Sequence, residues 1–107
     1  MIYFMDISDF QKLMRDLYFH NDSQRGIYRT ALWLVEEMGE LVREVKLTPE
    51  KINKSHVEEE MADIYAWVAS LANLLDIDLN SAVQKKYPQY CPKCKNNPCK
   101  CEKNLPS

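Results

Sequence analysis

The chain has 107 residues, 46 % of them hydrophobic and 28 % charged, with a formal net charge of −2. That length suits one domain with a modest core. The slightly acidic balance argues against a binder of nucleic-acid polymers, and no apolar run approaches the roughly 20 residues of a membrane span.

Only two glycines are present, and apolar residues recur at helical spacing, which predicts an all-α protein. Met1–Met5 is apolar but short, and Asp6 and Asp9 follow at once. This lacks a secretory pattern, so the expectation is a soluble cytoplasmic protein. Helix 1 is predicted to start near Asp6 or Ser8, either of which can cap it. Phe10, Leu13, Met14 and Leu17 share one face. The polar cluster His20-Asn21-Asp22-Ser23 reads as a turn that stops the helix, with Gly26 in the connection.

Helix 2 is expected from Ile27 or Tyr28 to Lys46, with an inward stripe of Leu34, Met38, Leu41 and Val45. Thr48-Pro49 ends it, because proline disfavours the α conformation in the residue before it. Helix 3 begins between Pro49 and Ser55 and carries Val57, Met61, Ile64, Val68, Leu71 and Leu75 at alternating spacings of four and three. After a break at Asp76–Asp78, Asp78 caps a short helix 4 with Leu79, Ala82 and Val83 inward. Tyr87-Pro88 ends it. The chain therefore divides into a helical domain, 1–88, and a Cys-rich tail, 89–107.

Helices 2 and 3 each carry an acidic motif. Glu36-Glu37-Met38-Gly39-Glu40 contains Glu-x-x-Glu, and Glu58-Glu59-Glu60-Met61-Ala62-Asp63 contains Glu-x-x-Asp. Residues three apart share a helix face, so two packed helices can aim Glu37, Glu40, Glu60 and Asp63 at one point. Each of these acids precedes a stripe residue, which puts it about 100° from the core line, at its margin. Four carboxylates meeting at one point repel unless a cation joins them. Mg²⁺ or Mn²⁺ suits an all-oxygen set and keeps positions for water and phosphate oxygens. Acid-rich helix faces also occur with no ligand, since glutamate is a good helix former; Glu36, Glu44, Glu58 and Glu59 fit that plainer description. Gly39 costs roughly 1 kcal/mol against alanine inside a helix, which close approach of a backbone or ligand would explain.

Trp33 lies four residues before Glu37, and Trp67 four residues after Asp63. Either can stack on a nucleobase, although burial in the bundle competes, more strongly for Trp33. Lys85, ahead of Lys86, is the preferred phosphate contact. Arg25 and Arg29 are weaker candidates, and His20 with Asn21 can reach a base from the end of helix 1.

All four cysteines lie in the tail, as Cys91-Pro92-Lys93-Cys94 and Cys99-Lys100-Cys101. Four thiolates at this spacing can close a tetrahedral structural Zn²⁺ site. Lys93, Lys95, Lys100 and Lys103 would offset its charge. Redox-active thiols, an iron–sulfur site and free cysteines are alternatives. Two local disulfides fit a reducing cytoplasm least.

Glu36-Glu37-Met38-Gly39-Glu40-Leu41, followed by Glu59-Glu60-Met61-Ala62-Asp63-Ile64, resembles the signature of the MazG-like nucleotide pyrophosphohydrolases, within the all-α NTP pyrophosphohydrolase superfamily. The resemblance covers about Phe10 to Tyr87. It implies a four-helix bundle completed by a partner subunit in a homodimer or homotetramer. It also implies Mg²⁺ held by Glu37, Glu40, Glu60 and Asp63, and conversion of a nucleoside triphosphate to a monophosphate and pyrophosphate, in cleansing of the nucleotide pool. The Cys-rich tail departs from the simplest members. The rival expectation is a non-enzymatic helical interaction module with a zinc-stapled docking tail.

Overall fold

A computed structural model describes residues 4–102. It is all-helical: α1 (Ile7–Arg25), α2 (Ile27–Val45), a 3₁₀ turn (Pro49–Lys51), α3 (Lys54–Leu74) and α4 (Leu79–Lys86). No strand occurs among the described residues. Lys103 of the tail lies outside them.

The caps follow from local chemistry. The Asp6 side chain accepts the Asp9 N–H at 2.8 Å, and the Asp9 side chain accepts the Asp6 N–H at 3.2 Å, a reciprocal pair that starts α1. Asn53 caps α3 through the His56 N–H, and Asp78 caps α4 through the Ser81 N–H, as its position in the sequence predicts. Asp76 takes a left-handed φ of 56° at the end of α3. The following Ile77 N–H donates to the Ala72 carbonyl at 2.9 Å.

The predicted stop at His20–Ser23 does not occur. α1 runs through the polar cluster to Arg25, and Gly26 alone separates it from α2. The reason is that Asp22 points inward: it is 3 % exposed and paired with Arg25. Polar side chains that bond to one another inside a fold do not end a helix. Gly26, with φ 89° and ψ 166°, supplies the break instead, in a region that essentially only glycine adopts.

α3 packs against both α1 and α2, which touch each other less, and α4 rests on α1. A side-chain latch fixes this last contact. Gln11 Nε2 donates to Asn73 Oδ1 and to the Ile77 carbonyl, while Gln11 Oε1 accepts from the Leu79 N–H. One glutamine thus ties α1 to the end of α3 and the start of α4.

The core is small. Its buried apolar residues, among those described, are Met14, Ala69 and Ala72. The stripe expected on α2 is only half inward. Leu34 and Leu41 are half-buried, alongside the wholly buried Thr30. Met38 is 50 % exposed, and Val45 is exposed as well. With Val35 (64 %) and Val42 (60 %), Met38 forms an open apolar face. Met61 of α3, Leu75 just after it, and Ala82 and Val83 of α4 are also exposed where the spacing placed them inward.

Candidate active site and metal centres

The register that turns Met38 outward turns Glu37 and Glu40 inward. Both are half-buried on α2, and Glu60 is half-buried on the facing α3. Glu37, Glu40 and Glu60 each offer a carboxylate oxygen within 4.8 Å of the others. Small movements of these flexible side chains would close that spread to the roughly 4.2 Å set by two Mg–O bonds.

The electrostatics are those of a site short of positive charge. Burial lifts the Glu37 carboxyl above its ordinary value of 4.5, with a hydrogen bond to Glu60 and the charges of Glu40, Glu60 and Asp63 adding to the rise. Glu60 Oε2 is buried and accepts no hydrogen bond from the protein. A buried carboxylate oxygen without a donor is costly, and a hard divalent cation is the partner that would relieve both conditions. The chemistry of this donor set therefore fits Mg²⁺ or Mn²⁺.

Asp63 is outside this trio. It is exposed, close enough to raise the Glu37 carboxyl by its charge, and it borders a neighbouring cleft of about 350 Å³. Tyr18, Asn21, Asp22, Arg25 and Trp67 line the same cleft. Trp67 and Trp33 stack on each other, with ring centroids 6.4 Å apart and planes 15° apart. The Arg25 guanidinium lies 4.6 Å from the Trp67 ring centroid, a cation–π contact. Arg25 is held there by its pairing with Asp22 and by donation from Nε to Thr30 Oγ1 at 3.0 Å. The Thr30 hydroxyl in turn donates to the Gly26 carbonyl.

Two candidates stand elsewhere in the subunit. His20 is exposed, and its ring contacts Gln24 one turn on. Lys85 is exposed in the last turn of α4. Neither lines the cleft. The Asp22–Arg25–Thr30 network was missed in the sequence because the turn reading absorbed it. The available signal was the three-residue spacing of Asp22 and Arg25, which pairs them on one helix face.

In the tail, the four cysteine sulfurs lie within 4.8 Å of one another. Cys91 Sγ and Cys101 Sγ are 3.8 Å apart, as are Cys94 Sγ and Cys99 Sγ. A tetrahedron with metal–sulfur bonds of about 2.3 Å has edges of about 3.8 Å, so the cluster can hold one ion. Backbone amides point at the sulfurs: Lys100 N–H to Cys94 Sγ at 3.2 Å and Cys101 N–H to Cys99 Sγ at 3.3 Å. The amide of Lys100 chiefly, helped by those of Asn96, draws the Cys94 thiol down to about 6. Its sulfur neighbours, Cys99 first, push Cys101 up to about 12. All four thiols ionise together only if a cation joins them.

Among the described residues, no helix is long and apolar enough to cross a membrane. Residues 25–95 match the family model of the MazG nucleotide pyrophosphohydrolase domain. This covers α2, α3 and α4 with the first two cysteines, and leaves out α1 before Arg25. Comparison with curated proteins finds no match.

Proposed function

The chain belongs to the MazG nucleotide pyrophosphohydrolase domain family, and from that premise we propose that it is a Mg²⁺-dependent enzyme converting a nucleoside or deoxynucleoside triphosphate and water to the monophosphate and pyrophosphate. The observation that carries the reading is the convergence of Glu37, Glu40 and Glu60, with one buried oxygen of Glu60 lacking a donor. A triphosphate is itself anionic, so an acidic cluster binds it only through cations. Glu37, Glu40 and Glu60, with Asp63 at the margin, would hold Mg²⁺ or Mn²⁺. Bound there, the ion would neutralise phosphate charge and acidify a water. Glu40 is the residue we assign to orient the attacking water and take its proton. Trp67 and Arg25 border the adjoining cleft, where the nucleoside would sit. The role that fits such chemistry is cleansing of the nucleotide pool in the cytoplasm.

We assign the tail cysteines Cys91, Cys94, Cys99 and Cys101 to a structural Zn²⁺, on the strength of the 3.8 Å sulfur separations and the amide donors. Four protein thiolates leave no open position, so this ion would stabilise and not catalyse. We further propose that the subunit works as a homodimer or homotetramer, closing over the open α2 face of Val35, Met38 and Val42. A Cβ at Gly39, on the same face, would meet nothing within 4 Å in its own subunit, and its absence suits close approach of a second helix.

The test is pyrophosphate release from a panel of NTPs and dNTPs, with Mg²⁺ and with EDTA. Metal-dependent release paired with a monophosphate is expected. No release by folded, zinc-loaded protein with any nucleotide would overturn the reading in favour of the interaction module.

A further inference from the structure

We infer that the cleft beside the acid cluster is a base-selecting subsite in which Asp22 accepts a hydrogen bond from an exocyclic amino group of the nucleobase. The inference rests on the nucleotide reading above and deepens it to a substrate class: nucleotides with amino-bearing bases, against those with a keto group at the same place.

Asp22 is 3 % exposed, and only one of its oxygens is engaged: Oδ1, by Arg25. Oδ2 is buried with no partner. Buried carboxylate oxygens are rarely left in that state, and the residue lines a cleft of about 350 Å³, large enough for one base. The cleft also reaches Asp63, whose charge is felt at Glu37. A nucleotide with its phosphates at the acids would therefore have its base in the cleft that Asp22 lines. The guanidinium of Arg25 over Trp67 gives this cleft a π-stacked wall, the kind of surface on which bases stack. Tyr18, one turn earlier on the same face of α1, lines the cleft and is 49 % exposed.

The selectivity follows from what a carboxylate can do. Ionised Asp22 only accepts. It pairs with the N–H of a cytosine-type amino group, whereas the keto oxygen of uracil at that place would set acceptor against acceptor. Arg25 engages Oδ1, so Oδ2 is the acceptor left without a partner.

The test is a titration of ¹⁵N-labelled protein with cytidine and with uridine, following the indole N–H of Trp67. Cytidine is expected to bind at least about ten-fold more tightly than uridine. Asp22→Asn, which keeps the shape but can present a donor, should bring the two within about three-fold. Equal affinity of the native protein for both, or no shift with either, would overturn the subsite. Nucleosides carry no phosphate, so this outcome is separate from hydrolysis. Pyrophosphate release at equal kcat/KM from dCTP and dUTP defeats the subsite and leaves the enzyme standing. Cytidine-selective binding without any pyrophosphate release defeats the enzyme and leaves the subsite standing. Should Asp22→Asn fail to fold, the native dCTP to dUTP ratio decides alone: a preference for dCTP supports the inference, and none overturns it.

Discussion

Glu40 and Glu37 sit three residues apart yet carry different tests. If Glu40 orients the water, Glu40→Gln should lower kcat by about 10²–10³-fold while the far-ultraviolet circular dichroism stays unchanged. Full activity in that variant would remove Glu40 from the site. Glu37 can be examined without substrate. Its carboxyl is raised above 4.5, first by burial, then by Glu60 and the surrounding charges. The metal-free folded state therefore holds a proton that the unfolded chain has released. The resulting stability is fully present below pH 4.5 and is lost as pH rises through the folded value. Guanidinium melts in EDTA should show the native protein weakening relative to Glu37→Gln as pH rises above 4.5. Added Mg²⁺ should reverse that loss. Parallel pH profiles for the two proteins would contradict it.

At the scale of elements, the α1–α2 junction and the tail are the informative parts. Gly26 is open around its Cβ position, so a substitution there meets only backbone strain. Gly26→Ala is expected to cost about 1–3 kcal/mol in chemical denaturation. It should also loosen the Arg25–Thr30 bond, whose partners lie on either side of the glycine. The tail is a different kind of element, a turn-rich segment in which, among the described residues, no helix follows Lys86. Native protein should contain one Zn²⁺ per chain by metal analysis, and Cys94→Ser should abolish it. Chelation should lower the melting temperature or change the oligomeric mass, if the clip folds against the bundle or a neighbouring subunit. An unchanged melt and mass would reduce the clip to an independent appendage.

The molecule as a whole is under-packed for a lone subunit. Three small or flexible apolar residues are buried among those described, while α2 leaves Val35, Met38 and Val42 at least half in solvent. Apolar surface of this extent on a helix calls for a partner. Val42→Lys should accordingly lower the mass seen by sedimentation and make the melting temperature of the native protein, but not of the variant, depend on concentration. If native protein sediments as a monomer at all concentrations, the α2 face has some other use.

The all-α class, the cap residues Asp6 and Asp78, and the pairing of the two acidic motifs were legible because each depends on local chemistry: helical periodicity, a carboxylate meeting the N–H three residues on, and the three-residue face rule. The gathering of the four cysteine sulfurs was legible for the same reason, since the eleven residues from Cys91 to Cys101 confine them. What one chain's spacing could not determine was rotation about each helix axis. Met38 and Glu37 are neighbours in sequence, and only packing against α3 decided that the acid faces inward and the methionine outward. Nor could spacing show that Asp22, in a run of turn-forming residues, would be buried and paired with an Arg25 that Thr30 holds in place. A polar side chain's destination depends on partners brought to it by the fold. The sequence by itself thus determined the elements and the type of chemistry they carry. Tertiary structure decided which faces meet, how three of four carboxylates converge, and which buried oxygen is left without a partner.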